Sequence, residues 1–148
     1  KQCIMNYQKI LIAIDDSPHS LHAAKKGMEL AIAIKAKVGI AYIIDIMHEP
    51  VIPETGLVAN AVQHNSVANA NNVIDSIIKE FPLAGEITRF TPEGFPKKEI
   101  VMIAKDWEAD LVVLGTHGRT GLSYLILGSV SEYVIKHTNI PVMVVPLK

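Results

Sequence analysis

The feature that most constrains this chain is an alternation. Short apolar runs take turns with longer stretches whose apolar residues recur every three or four positions. Lys9 to Asp15 (Lys-Ile-Leu-Ile-Ala-Ile-Asp), Val38 to Ile46 and Leu111 to Leu114 are short and nearly continuous in apolar residues, as strands covered on both faces must be. Gly85 to Thr91 reads as a further strand, and Pro141 and Pro146 bracket a last one, Val142 to Val145. Between them lie helical stripes: Leu21, Ala24, Met28, Ala31; then Val67, Ala70, Ile74, Ile78, Phe81; then Ile100, Ile103, Ala104, Trp107. A final helix is expected over Gly128 to His137. The order β-α-β-α-β-α-β-α-β predicts an α/β fold, a parallel sheet with helices on both faces. Right-handed crossovers then place ligand sites beyond the C-terminal strand ends, where strand order reverses.

Local signals punctuate this pattern. Ser17 is a good N-cap after the first strand, and Pro18 suits the first helical position. That helix is expected to end near Lys35, and His48 to Gly56, with Pro50 and Pro53, reads as a loop. Val58 to Phe81 is rich in Asn and Ala and reads as a helix with loose first turns. Pro92, Gly94 and Pro96 suggest a turn before an amphipathic helix over Phe95 to Glu108. The 148 residues fit one domain, 1–148, with 1–8 expected as a poorly ordered leader.

The stretch from Asp110 to Ser131 carries the chemistry. A buried strand runs into Gly115, Gly118 and Gly121, and Gly128-Ser129 heads the next helix. Glycine lets backbone approach a ligand without a Cβ in the way. The first amides of a helix have no internal partner, and the helix dipole favours negative charge there. This combination predicts an anion cradle for a phosphate chain. Ser129-Val130-Ser131-Glu132 also has the form of a capping box, with Ser129 as N-cap and Glu132 at N3, so the Ser129 hydroxyl has two competing uses.

Other chemistries lack their signatures. Asp15-Asp16-Ser17-Pro18 follows the first strand where a dinucleotide site would have Gly-x-Gly-x-x-Gly, and no Gly-Lys-Ser/Thr or Gly-x-Ser-x-Gly occurs. The six histidines include no His-x-x-x-His pair, and His19 and His22 at a helix start read as solvated side chains. A net charge of −1 argues against nucleic acid and anionic membranes as partners, and the basic run Lys97-Lys98 is too short to alter that. The single cysteine, Cys3, excludes an internal disulfide and fits a reducing cytosol. No apolar run approaches the ~20 residues of a membrane helix, and no signal peptide is visible; a cytoplasmic location is expected.

Gly115-x-x-Gly118, nine further residues, then Gly128-Ser129 resembles the nucleotide motif of the ATP-binding branch of the universal stress protein family. Asp15 ending the first strand, Ile43-Ile44-Asp45 closing the second and Pro141-Val142-Met143-Val144-Val145 at the end are similar too, so the resemblance spans nearly the whole chain. It implies a Rossmann-like three-layer sandwich with a five-stranded parallel sheet in the order 3-2-1-4-5. It implies that Gly118, Gly128, Ser129 and the backbone at Val130 and Ser131 hold phosphates. Asp15 would meet the ribose or adenine edge, Ile43 the adenine face, and Leu114 and Gly115 would flank base and ribose. The implied cofactors are ATP, with ADP, AMP or a cyclic nucleotide not separated from it, and Mg²⁺, which Asp15 could support through the phosphates. The implied partner is a second copy, joined antiparallel through strand 142–145.

Three functions are compatible with these residues: an ATP-binding regulatory protein, a slow ATPase or phosphotransferase assisted by His117 or Arg119, and a nucleotide-free dimeric interaction module. The first is favoured because the phosphate cradle comes without a clear catalytic base; His117 and Arg119 read better as solvated loop residues.

Overall fold

The computed structural model describes residues 6–47, 58–118 and 127–147, with the side chains of 58–66 excepted. Its elements are β1 (Lys9–Ile14), α1 (Pro18–Ile34), β2 (Lys37–Tyr42), β3 (Ile44–Asp45), α2 (Val58–Glu80), β4 (Ile87–Phe90), β5 (Glu93–Gly94), α3 (Pro96–Asp106), β6 (Leu111–Gly115), α4 (Ser129–His137) and β7 (Val142–Val145). Five strands form one parallel sheet in the order β4-β2-β1-β6-β7. With the two-residue strands left out of the count this is the expected 3-2-1-4-5.

The alternation of side chains along the strands builds the three layers. In β1, Ile10, Ile12 and Ile14 point to one face and pack with Ala24 and Met28 of α1 and Ala70 and Ile74 of α2. Leu11 and Ala13 point to the other, against Ile100, Ile103 and Ala104 of α3 and Val134 of α4. β6 divides in the same way, Leu111 and Val113 to the first face, Val112 and Leu114 to the second. A strand with helices on both sides has no polar face to offer, which is why these runs carry no alternation. On α2 the buried line is Ala70, Ile74 and Ile77, with Ile78 and Phe81 at its margin.

Two expectations are corrected. The run Val38 to Ile46 is two strands. The main sheet ends at Tyr42, and Ile44–Asp45 pairs instead with Glu93–Gly94 in a small parallel sheet. The segment Pro92 to Pro96, expected as a turn, therefore contains a strand. The backbone supplies the reason: Ile44 N–H donates to Pro92 O at 2.9 Å, and Ile46 N–H to Gly94 O at 3.4 Å. The start of the chain is tied down from Gln8, whose N–H donates to Asp110 Oδ2 at 2.8 Å and whose carbonyl accepts from Lys37 N–H at 2.7 Å. The expected loop His48 to Gly56, together with Arg119 and Gly121, lies outside the described residues.

Candidate functional site

β1 and β6 are neighbours, yet their chains leave the sheet in opposite directions, β2 lying on one side and β7 on the other. This is the switch point of the sheet, and a crevice opens there. It is a cleft of about 380 Å³.

The first wall comes from the turn between β1 and α1. Three residues there close a ring of hydrogen bonds. Asp15 N–H donates to Ser20 Oγ at 2.7 Å, Ser20 N–H donates to Ser17 Oγ at 3.2 Å, and Ser17 N–H donates to Asp15 Oδ1 at 2.8 Å. Ser17 is thus the N-cap and Pro18 opens the helix. The ring uses one oxygen of the Asp15 carboxylate; Oδ2 turns toward Gly118, where an added Cβ would come within 2.8 Å of it. Asp15 therefore braces the loop and lines the cleft.

The second wall comes from β6 and α4. The N-cap of α4 is Gly128, with no side-chain hydrogen bond, and Ser129 is the first helical residue. The expected capping box does not form. Gly128 has no side chain to offer, and Glu132 pairs with Lys136 one turn on. The Lys136 ammonium, through a hydrogen bond and its charge, holds the Glu132 carboxyl below its ordinary value. The first helical hydrogen bond runs from Glu132 N–H to Gly128 O at 2.9 Å. The amides of Ser129, Val130 and Ser131 precede it and have no partner within the helix. All three residues line the cleft.

The helix is held against the strand end by the glycines and by Ser131. Gly128 N–H donates to Thr116 O at 2.6 Å, and a Cβ on Gly128 would sit 2.9 Å from that same oxygen. Ser131 is buried, and its hydroxyl donates to Gly115 O at 2.7 Å. Its side chain thus fastens α4 to β6, a role separate from that of its amide.

The third wall was not anticipated. The small β3-β5 sheet carries Asp45 and Met47 on one side and leads into Phe95, Pro96 and Lys97 on the other; all line the cleft. Met47 and Phe95 expose large apolar surfaces there, 70% and 43% of the residue. The expected residues all line the cleft: Asp15 and Ile43 just past the ends of β1 and β2, and Leu114, Gly115, Gly118, Gly128, Ser129, Val130 and Ser131 from β6, the residues after it and the start of α4. Ser20 was missed, although the N-cap at Ser17 implied a partner three residues on. Nothing local marks Phe95 or Lys97, because their proximity depends on a pairing across 49 positions of chain (Ile44 with Glu93). His117 also lines the cleft; its Nδ1 lies 3.1 Å from Thr116 Oγ1, and its ring meets His19 edge-on at 5.2 Å. Among the described residues, no group of three or more His, Cys, Asp or Glu gathers to hold a metal ion, and no helix is long and apolar enough to cross a membrane.

The fold and the cleft define a doubly wound α/β protein with a crevice at its switch point. The sequence profile of the universal stress protein family matches residues 6–146, and the chain belongs to that family. Universal stress protein MJ0531 of Methanocaldococcus jannaschii is 36% identical over 142 residues, covering 94% of this chain and 82% of its own. The solved structure of MJ0577 superposes with a TM-score of 0.82 at 32% identity, covering 97% of this chain and 98% of the other; MJ0577 is from the same organism. A universal stress protein in complex with cAMP superposes with a TM-score of 0.66 at 26% identity, covering 95% of this chain and 98% of its own.

Proposed function

We propose that the cleft binds an adenine nucleotide, with ATP as the principal ligand, and that the protein is a regulatory binder. The observation that carries this reading is the open N-terminus of α4: three amides without helical partners, facing a cleft whose glycines leave no side chain in the way. A relative in complex with cAMP lends support, since an adenine nucleotide then has a place in the same fold. Phosphates would sit on the amides of Ser129, Val130 and Ser131 beside Gly118 and Gly128. Asp15 would face the ribose, and the base would lie between Ile43 and Leu114. The exposed apolar surface of Met47 and Phe95 offers the base further cover.

Magnitudes favour such a composite site. A helix dipole contributes about 0.3–1 kcal/mol, up to about 2, whereas micromolar affinity needs about 8 kcal/mol. Charge-assisted hydrogen bonds, at about 1.5–3 kcal/mol each, and burial of the base supply the difference. Mg²⁺ fits as a phosphate-borne ion, since it keeps several waters and needs only one or two carboxylates; Asp15 Oδ2 is the group it would approach. Such a protein would act in the cytoplasm, where ATP would shift a conformation or a contact between copies. The test is calorimetric titration with ATP and Mg²⁺. Micromolar binding is expected, and no binding of any adenine nucleotide at high micromolar concentration would refute the reading.

One observation favours a second reading, slow ATP hydrolysis: His117 is among the residues lining the cleft. Turnover above the blank that disappears in Asp15→Ala and His117→Ala would establish it. The paired-copy proposal rests on β7, an edge strand whose Val142, Met143 and Val144 are half-exposed. Proline at Val144 removes an amide from that edge, so Val144→Pro should lower the mass seen by light scattering if the edge joins two copies.

A further inference from the structure

The nucleotide motif contains no lysine, but the fold delivers one. Lys97 stands at the second position of α3, the helix that the β3-β5 pairing leads into the cleft. α3, like α4, begins without a side-chain cap. The two helices pack against each other, and the Lys97 ammonium reaches across to lie 5.2 Å from the ring centroid of Tyr133 on α4. Lys97 is an exposed residue. The remaining charged groups lining the described cleft are the carboxylates of Asp15 and Asp45. Among the described residues, a polyphosphate entering there meets two like charges and one opposite charge, beside the first amides of α4.

We propose that Lys97 is the phosphate-binding cation of this cleft. On ligand entry its ammonium leaves the face of Tyr133 and donates to the phosphate chain held at the start of α4. Lys97 thereby sets the preference for phosphorylated nucleotides over the bare nucleoside. The inference rests on the nucleotide reading of the cleft.

Lys97 is exposed, so its replacement leaves both cores intact. Titrations of wild type, Lys97→Met and Lys97→Arg with ATP and with adenosine, at low and at moderate salt, test it. One lost charge-assisted hydrogen bond should weaken ATP binding about tenfold in Lys97→Met, with adenosine unchanged within about twofold. The ATP affinity of Lys97→Met should fall less steeply with salt than that of wild type, and Lys97→Arg should retain most of the affinity. Equal loss for ATP and adenosine, or ATP binding unchanged in Lys97→Met, overturns the role of Lys97 while leaving the nucleotide reading in place. A wild type that binds neither ligand overturns both.

Discussion

Two helices begin at the same end of the sheet but on opposite faces, α1 after β1 and α4 after β6, and they begin differently. α1 is sealed by its own residues: Ser17 caps the Ser20 amide, and Asp15 and Ser20 close the ring around it. α4 is headed by a glycine that caps nothing. A helix start whose amides are taken up internally is a structural joint. One whose amides stay unpaired can receive an anion. Both line the cleft: the first braces the Asp15 carboxylate, and the second begins without a side-chain cap.

Substitutions at the two starts should separate stability from binding. Gly128→Val has the largest expected effect. Its Cβ would meet Thr116 O at 2.9 Å and His117 Cα at 3.3 Å, both backbone atoms. Overpacking of this kind costs about 1–3 kcal/mol, and the displaced α4 should lose nucleotide binding altogether. A variant that still binds ATP like wild type would mean that the open start is not the site.

Ser131→Ala comes next. It removes the buried hydrogen bond to Gly115 O and should cost about 1–1.5 kcal/mol in urea unfolding, with a smaller loss of affinity because the amide remains. Ser17→Ala should cost about 1 kcal/mol with ATP affinity changed only through Asp15. Ser129→Ala should leave stability alone, since that hydroxyl caps no helix; a loss there comparable to Ser17→Ala would restore the capping box.

The smallest effect concerns the body of α4. Glu132 has its pKa lowered by Lys136, so the pair adds stability above the ordinary carboxylate value of 4.5 and loses it as pH falls through the lowered one. Both side chains are solvated, so Glu132→Gln should melt only marginally below wild type at neutral pH. The gap should close on acidification. A gap that widens in acid would show that Glu132 serves another partner.

Much of this comparison was legible beforehand. Ser17-Pro18 announces a capped start through local chemistry alone, and Gly128-Ser129 after a buried strand announces a helix near a strand end. Which residue caps α4 was not legible. Ser129 has the better side chain for the task, yet Gly128 holds the position because its amide bonds Thr116 O and the space beside it admits no Cβ. The strand Val38 to Ile46 was misjudged for a similar reason. Its apolar run is continuous, and only the presence of Glu93–Gly94 as an alternative partner divides it.

The layers, the strand count of the main sheet and the glycine-bearing turn follow from local sequence, because periodicity and backbone permissiveness act over a few residues. Tertiary structure alone decided what faces that turn: Lys97, Phe95 and Met47 come to the cleft through a pairing between segments far apart in the chain. Proximity of that kind depends on loop closure and packing, and neither leaves a mark on the residues that it brings together.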